Sequence, residues 1–99
     1  MALSDLVASA AEPFTPEERI AQTEKLVQRT FGVPAGELGE LAMLDGRPVL
    51  TIQHNGAAHA LTWSRDPKGR VVWNVDGTPA MGVGGDNALV KLARALDNL

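Results

Sequence analysis

From 48 to 64 the chain reads PVLTIQHNGAAHALTWS, 17 residues without a single Lys, Arg, Asp or Glu. Near the middle stands Asn55-Gly56. A two-residue type I′ turn needs positive φ at both central positions, and Asn followed by Gly meets that need at the least steric cost. The stretch therefore predicts a β-hairpin. Its register follows at once: His54 pairs with Ala57, Ile52 with His59, and Leu50 with Leu61. Because successive side chains in a strand point to opposite faces, one turn assignment commits every side chain of two strands to a side.

Two flanking turns extend the register. Asp45-Gly46 suits another two-residue loop, which pairs Leu44 with Arg47 and sets Leu41 opposite Leu50 and Met43 opposite Pro48. Asp66-Pro67-Lys68-Gly69 reads as a type I turn closed by Gly69 as a left-handed bulge residue. It pairs Asp66 with Arg70, and hence Trp63 with Trp73 and Leu61 with Val75. The three turns agree in placing Leu41, Met43, Leu50, Ile52, Leu61, Trp63, Val71, Trp73 and Val75 on one face. A slip of one residue at any turn would break that agreement. The expectation is a four-stranded antiparallel meander over 41–76. Its opposite face carries Ala42, Val49, Thr51, Gln53, Ala58, Ala60, Thr62, Ser64, Val72 and Asn74, all small or uncharged, where a face left to water normally includes Lys, Glu and Arg.

Helical signals bracket the meander. Thr15-Pro16-Glu17-Glu18 combines an N-cap, a proline in the first turn and a capping-box glutamate. Ile20, Thr23, Val27 and Phe31, with Leu26 alongside, then recur at helical spacing, and Gly32 ahead of Val33-Pro34 ends the run. This predicts a helix over 16–31, followed by a connector over 33–40. At the other end, 77–85 reads as a glycine-rich loop with Pro79. Asp86 reads as the cap of a helix over 86–98 whose stripe is Leu89, Leu92, Ala93, Leu96 and Leu99. Residues 1–14 read either as an N-terminal arm or as a short helix over 4–11, with Leu3, Leu6, Val7 and Ala10 at helical spacing. Both longer helices need an apolar surface, and the sheet offers one on its tryptophan face. The expected fold is a single α+β domain, a two-layer sandwich with both helices on that face.

Composition excludes several classes of function. With 99 residues, 44% of them hydrophobic and 21% charged, the chain is an ordinary globular sequence. No cysteine is present, so thiol nucleophiles, disulfides and Cys-based zinc sites are out, in keeping with a cytoplasmic protein. No apolar run reaches the length of a bilayer span, and the N-terminus lacks the basic region of a signal peptide. The net charge of −3 is unevenly spread: residues 1–46 hold eight acids against three bases, and residues 47–99 hold six bases against four acids. Arg47, Arg65, Lys68, Arg70, Lys91 and Arg94 would be the contacts of a nucleic-acid-binding domain, but they form no dense basic stripe.

Chemistry has few footholds. His54 and His59 share the tryptophan face as diagonal neighbours near the hairpin tip and are the only metal-ligand candidates. With no Cys and no carboxylate nearby in sequence, two imidazoles do not make a zinc site. A small-molecule site near them is the third reading. No G-x-S-x-G elbow occurs, and the glycines at 82, 84 and 85 lack the Lys-Ser/Thr pair of a phosphate loop. The expectation is a protein without enzymatic activity, cofactor or bound metal.

The helix–strands–helix order of the later part of the chain resembles that of double-stranded RNA-binding domains, which have three strands. Their Gly-Pro-x-His turn is loosely echoed by Gly56-Ala57-Ala58-His59, and their glycine-rich turn by Gly82 and Gly84. That family grips phosphates with lysines at the start of its last helix, where this chain has Asp86, Asn87 and Ala88, and here the first helix is acidic. The resemblance implies a shared order of elements without the phosphate grip. The reading that remains is a small acidic protein–protein interaction module, self-associating through Val49, Thr51, Gln53, Ala58, Ala60, Thr62 and Val72 on the uncharged face. Its role could be that of an adaptor, a chaperone-like protein, an inhibitor or an immunity protein.

Overall fold

The structure is a computed structural model that describes residues 15–83 and 87–99. The arm or short helix expected within 1–14, and Asp86 as a helix cap, lie outside the described residues.

Helix α1 (Pro16–Phe31) begins as its sequence predicts. The Thr15 hydroxyl accepts from the Glu18 N–H at 3.2 Å, and the Glu18 carboxylate accepts from the Thr15 N–H at 3.3 Å. Together they satisfy two backbone donors that the first turn leaves without partners. At the other end Gly32 takes the left-handed conformation (φ 73°) and its N–H closes on the Gln28 carbonyl. The connector is not featureless: Ala35–Leu38 forms one turn of helix, α2. Gly39 follows it, so close to the Thr51 carbonyl oxygen that a Cβ would stand 2.0 Å away.

Five strands follow, each paired antiparallel with the next: β1 (Glu40–Leu44), β2 (Arg47–His54), β3 (Ala57–Arg65), β4 (Val71–Val75) and β5 (Thr78–Gly82). The last helix, α3 (Ala88–Asp97), starts at Ala88, with Asn87 before it in the left-handed region. The register matches the parity argument, with Leu41 opposite Leu50, Ile52 opposite His59, and Trp63 opposite Trp73. Asp45, Gly46, Asn55 and Gly56 all have positive φ, as type I′ turns require, and Gly69 does so at the bulge.

The strand count of four is corrected to five. Asp76-Gly77, the start of the expected loop, is a third two-residue hairpin turn with φ of 49° and 84°. It pairs Val75 with Thr78. The segment that follows, Thr78-Pro79-Ala80-Met81-Gly82, lacks apolar alternation and contains a proline, both signs against a strand. It is tolerated because β5 is an edge strand, where one side needs no ladder bonds. The pairing slips between Trp73 and Asn74, leaving Ala80 as the extra residue of a bulge. Only its position beside β4, with α3 packed against it, makes this segment a strand.

Both long helices lie on the tryptophan face. Val27 and Phe31 of α1, Ala35 of α2, and Ala88, Leu92 and Leu96 of α3 form one cluster with Leu50, Ile52, Leu61, Trp73 and Val75. The indole N–H groups set the fit. Trp73, wholly buried, donates to the Thr30 hydroxyl at 3.0 Å, and Trp63 donates to the Thr23 hydroxyl at 3.0 Å. Thr23 spends its own proton on the Arg19 carbonyl one turn back, leaving its oxygen free to accept. Thr23 and Thr30 are seven residues apart, two turns and about 10.5 Å along one helix face. The two bonds thus define both the rotation of α1 and its position along its axis. Phe31 adds a tilted ring contact with Trp73, centroids 5.6 Å apart.

Three substitutions test the packing of the fold. Thr30→Val keeps the volume and removes the acceptor of a buried indole, so urea unfolding should show a loss of about 1–3 kcal/mol. Thr23→Val should cost less, because Trp63 is only partly buried and can recruit water. Gly39→Ala should be destabilising by about 1–3 kcal/mol despite the small change, because the methyl meets backbone rather than a movable side chain. An unchanged urea midpoint for Gly39→Ala would show that β1 and β2 can separate there.

Candidate functional site

The face of the sheet turned away from the helices is built from rows that run across the strands. One row holds Ala42, Val49, Thr62, Asn74 and Pro79, the next holds Thr51 and Ala60, and beyond it Gln53 pairs with Ala58. On the other side come Leu44, Arg47, Ser64, Val72 and Gly82. None of these residues belongs to the core cluster, and no described helix covers them. Leu44 is 53% exposed. Val49, flanked in its row by Ala42 and Thr62, is only 8% exposed, so it offers less contact area than its central position suggests.

Two features of this face escape the sequence reading. β1 begins at Glu40, opposite Thr51, and β2 begins at Arg47, so both charged side chains project from the supposedly uncharged face. They occupy opposite ends of the β1–β2 hairpin, and neither forms an ion pair among the described residues. The signal was available, because parity extended by one residue at each strand end includes both. The uncharged description holds for the row between them and for the Gln53–Ala58 pair beyond.

On the helix side, each histidine meets a carboxylate that lies far from it in the chain. His59 donates from Nδ1 to Asp76 at 2.8 Å, and His54 donates from Nε2 to Asp97 at 2.6 Å. A carboxylate only accepts, so the ring nitrogen facing it carries the proton in each pair. The partners come from the β4–β5 turn and the last residue of α3, 17 and 43 positions away, and chain order gives no hint of either. Asp76 also does backbone work. Its left-handed φ turns its carbonyl away from β3, and its side-chain oxygen takes the Ala60 N–H at 2.8 Å in the carbonyl's place. That N–H, and next the His59 imidazole, hold the Asp76 carboxyl below its ordinary range. Asn55 also reaches Asp97 at 3.4 Å. No hydroxyl is bonded to either imidazole, and no three His, Cys, Asp or Glu side chains cluster for a metal among the described residues. These pairs tie the hairpin tip and the last turn to the body of the fold.

The basic residues do not gather into one surface. Arg65, Lys68 and Arg70 sit at or beside the β3–β4 turn, and two of them are engaged. Arg65 lies over the Trp63 ring and donates to the Gly69 carbonyl, and Arg70 pairs with Asp66 at 2.8 Å. The Arg70 N–H, above all, lowers the Asp66 carboxyl, with the Arg70 guanidinium and Lys68 N–H adding to it. Lys91 and Arg94 stand on α3, whose end is tied to the opposite end of the β2–β3 hairpin, and Arg47 projects from the other face. A groove of about 560 Å³ beside the β3–β4 turn is lined by Leu26, Arg29, Asp66, Arg70 and Val83, among others, with Asp66 offsetting Arg70. No helix among the described residues is long and apolar enough to cross a membrane. Comparison with known protein families, curated proteins and solved structures gives no match. Five consecutive strands also depart from the three of the double-stranded RNA-binding order.

Asp76 generates a pH prediction. Its folded carboxyl is lowered, so its contribution to stability is present above its unfolded value of about 3.9 and is lost as pH falls through the folded value. Asp76→Asn keeps a residue suited to the turn and an oxygen for the Ala60 N–H but removes the titrating charge. Urea-unfolding free energies measured from pH 7 to pH 2 should fall less steeply below pH 4 for the variant than for the native chain. Parallel curves would assign the acid sensitivity to other groups.

Proposed function

We propose that this protein is a non-enzymatic protein–protein interaction module that pairs with a second copy of itself through the outer face of its sheet. One observation carries the reading: both long helices take the same face of a five-stranded sheet, and the other face, rich in Ala, Thr and Val, has no described element over it. An apolar, small-residue sheet face suits packing against another sheet at about 10 Å separation. Five strands spaced about 4.8 Å apart, with rows spanning roughly 20 Å, give a projected face of about 500 Å² per copy. That is at the small end of specific interfaces and fits an association that weakens on dilution. The centre of contact is Thr51, Ala60, Thr62 and Val72, with Ala42, Leu44, Gln53 and Ala58 around it.

Sedimentation equilibrium tests the reading. The native chain should behave as a dimer at about 100 μM and dissociate towards low micromolar concentration. Ala60→Lys, which places an unpaired charge in the middle of the face, should shift the mass to that of a monomer while leaving far-UV circular dichroism and melting temperature close to native. A native chain that stays monomeric at 100 μM overturns the proposal.

A further inference from the structure

The two charges at the ends of the β1–β2 hairpin specify how a second copy would sit. Among the described residues, Glu40 and Arg47 are the only charged strand residues on the outer face, and they are of opposite sign. Glu40 lies opposite Thr51 and Arg47 opposite Leu44, so they fall one row to either side of the Ala42–Val49 row. Each is about 7 Å from it along the strands. At about 14 Å apart along the hairpin they cannot reach each other within one chain.

A twofold contact requires that if one residue meets another, the second meets the first across the axis. We infer that two copies pack outer face to outer face about a twofold axis running across the strands along the Ala42–Val49–Thr62 row, with Glu40 of each copy beside Arg47 of the other. This inference rests on the self-association proposed above. Rotation about that axis exchanges the two flanking rows, so Glu40 of one copy comes over the Leu44–Arg47 row of the other. The strands of the two sheets then run antiparallel, with the offset that sheet twist imposes. A twofold axis along the strands near this hairpin would instead set Glu40 over Glu40 and Arg47 over Arg47, like charges facing. The charges thus favour the axis across the strands over the axis along them. They also favour a second copy over an unrelated partner, because the same chain supplies both the charge and its complement. Thr62 lies on the axis row, where its small β-branched side chain meets its own copy.

Charge-exchange variants test the arrangement. Glu40→Arg alone, or Arg47→Glu alone, replaces two attractive pairs by two repulsive ones, and each should raise the dimer dissociation constant roughly tenfold or more at low ionic strength. The double variant Glu40→Arg/Arg47→Glu should return to within about threefold of native. Mixing the two single variants gives a sharper result. One then carries two arginines and the other two glutamates, so they should form a heterodimer visible in native mass spectrometry, although each alone is mainly monomeric. Both sites are exposed strand ends, and circular dichroism confirms the fold of each variant. If the single variants dimerise as the native chain does while Ala60→Lys still dissociates it, the axis is wrong and the face stands. If the mixture does not pair, or the double variant stays weak, the inference also falls. A native chain that remains monomeric removes both the axis and the face.

Discussion

An indole N–H withdrawn from water must find an acceptor or cost the fold its desolvation, and two indoles here, one wholly and one partly buried, find theirs on one helix. Trp73 and Trp63 stand opposite each other on β4 and β3, and their donors end on Thr30 and Thr23 of α1. Hydrophobic contact alone would hold α1 against the sheet without choosing its rotation, because burial of apolar area is non-directional. Two directed bonds two turns apart remove that freedom. They also explain why a helix whose buried face includes two threonines is stable there: each hydroxyl is consumed, and the methyl groups still pack. Once α1 is placed, Val27 and Phe31 close over Leu50, Leu61 and Trp73, and α3 completes the layer.

The other face of the sheet is a consequence of that commitment. Helices that take one face leave the opposite one without a covering helix among the described residues. A solvated antiparallel face is normally defended by charge along its length. Here, among the described strand residues, the charges stand at the two ends of the first hairpin, and the row between them is Ala42, Val49, Thr62, Asn74 and Pro79. The edges of the sheet differ in the same sense. β5 carries Pro79, which has no N–H to offer, and a bulge at Ala80, two devices that discourage further strands from joining. In the dimer proposed above, contact is face to face and the two end charges orient it.

The polar pairs at the far end of the sheet have a different purpose. Asp76 substitutes its side chain for a ladder carbonyl that the type I′ turn has rotated away, and in the same position holds His59. Asp97 closes α3 onto His54 and Asn55. These contacts fasten the hairpin tip and the last helical turn to the body of the fold.

How far the chain could be read without coordinates depended on whether the information was local. Turn chemistry is local, and from Asp45-Gly46, Asn55-Gly56 and Gly69 it determined the register of four strands and the face on which each tryptophan stands. The Thr15-Pro16-Glu17-Glu18 start and Gly32 stop of α1 were equally legible, because caps act within one turn. β5 was missed although Asp76-Gly77 carries the same signal as its predecessors. An edge strand with Pro79 owes its conformation to the β4 ladder and to α3 rather than to its own residues. The histidine–aspartate pairs, the indole–threonine bonds and the closeness of Gly39 to Thr51 were decided only by tertiary structure. Each joins residues whose separation in the chain bears no relation to their separation in space, and only packing of helix on sheet brings them together.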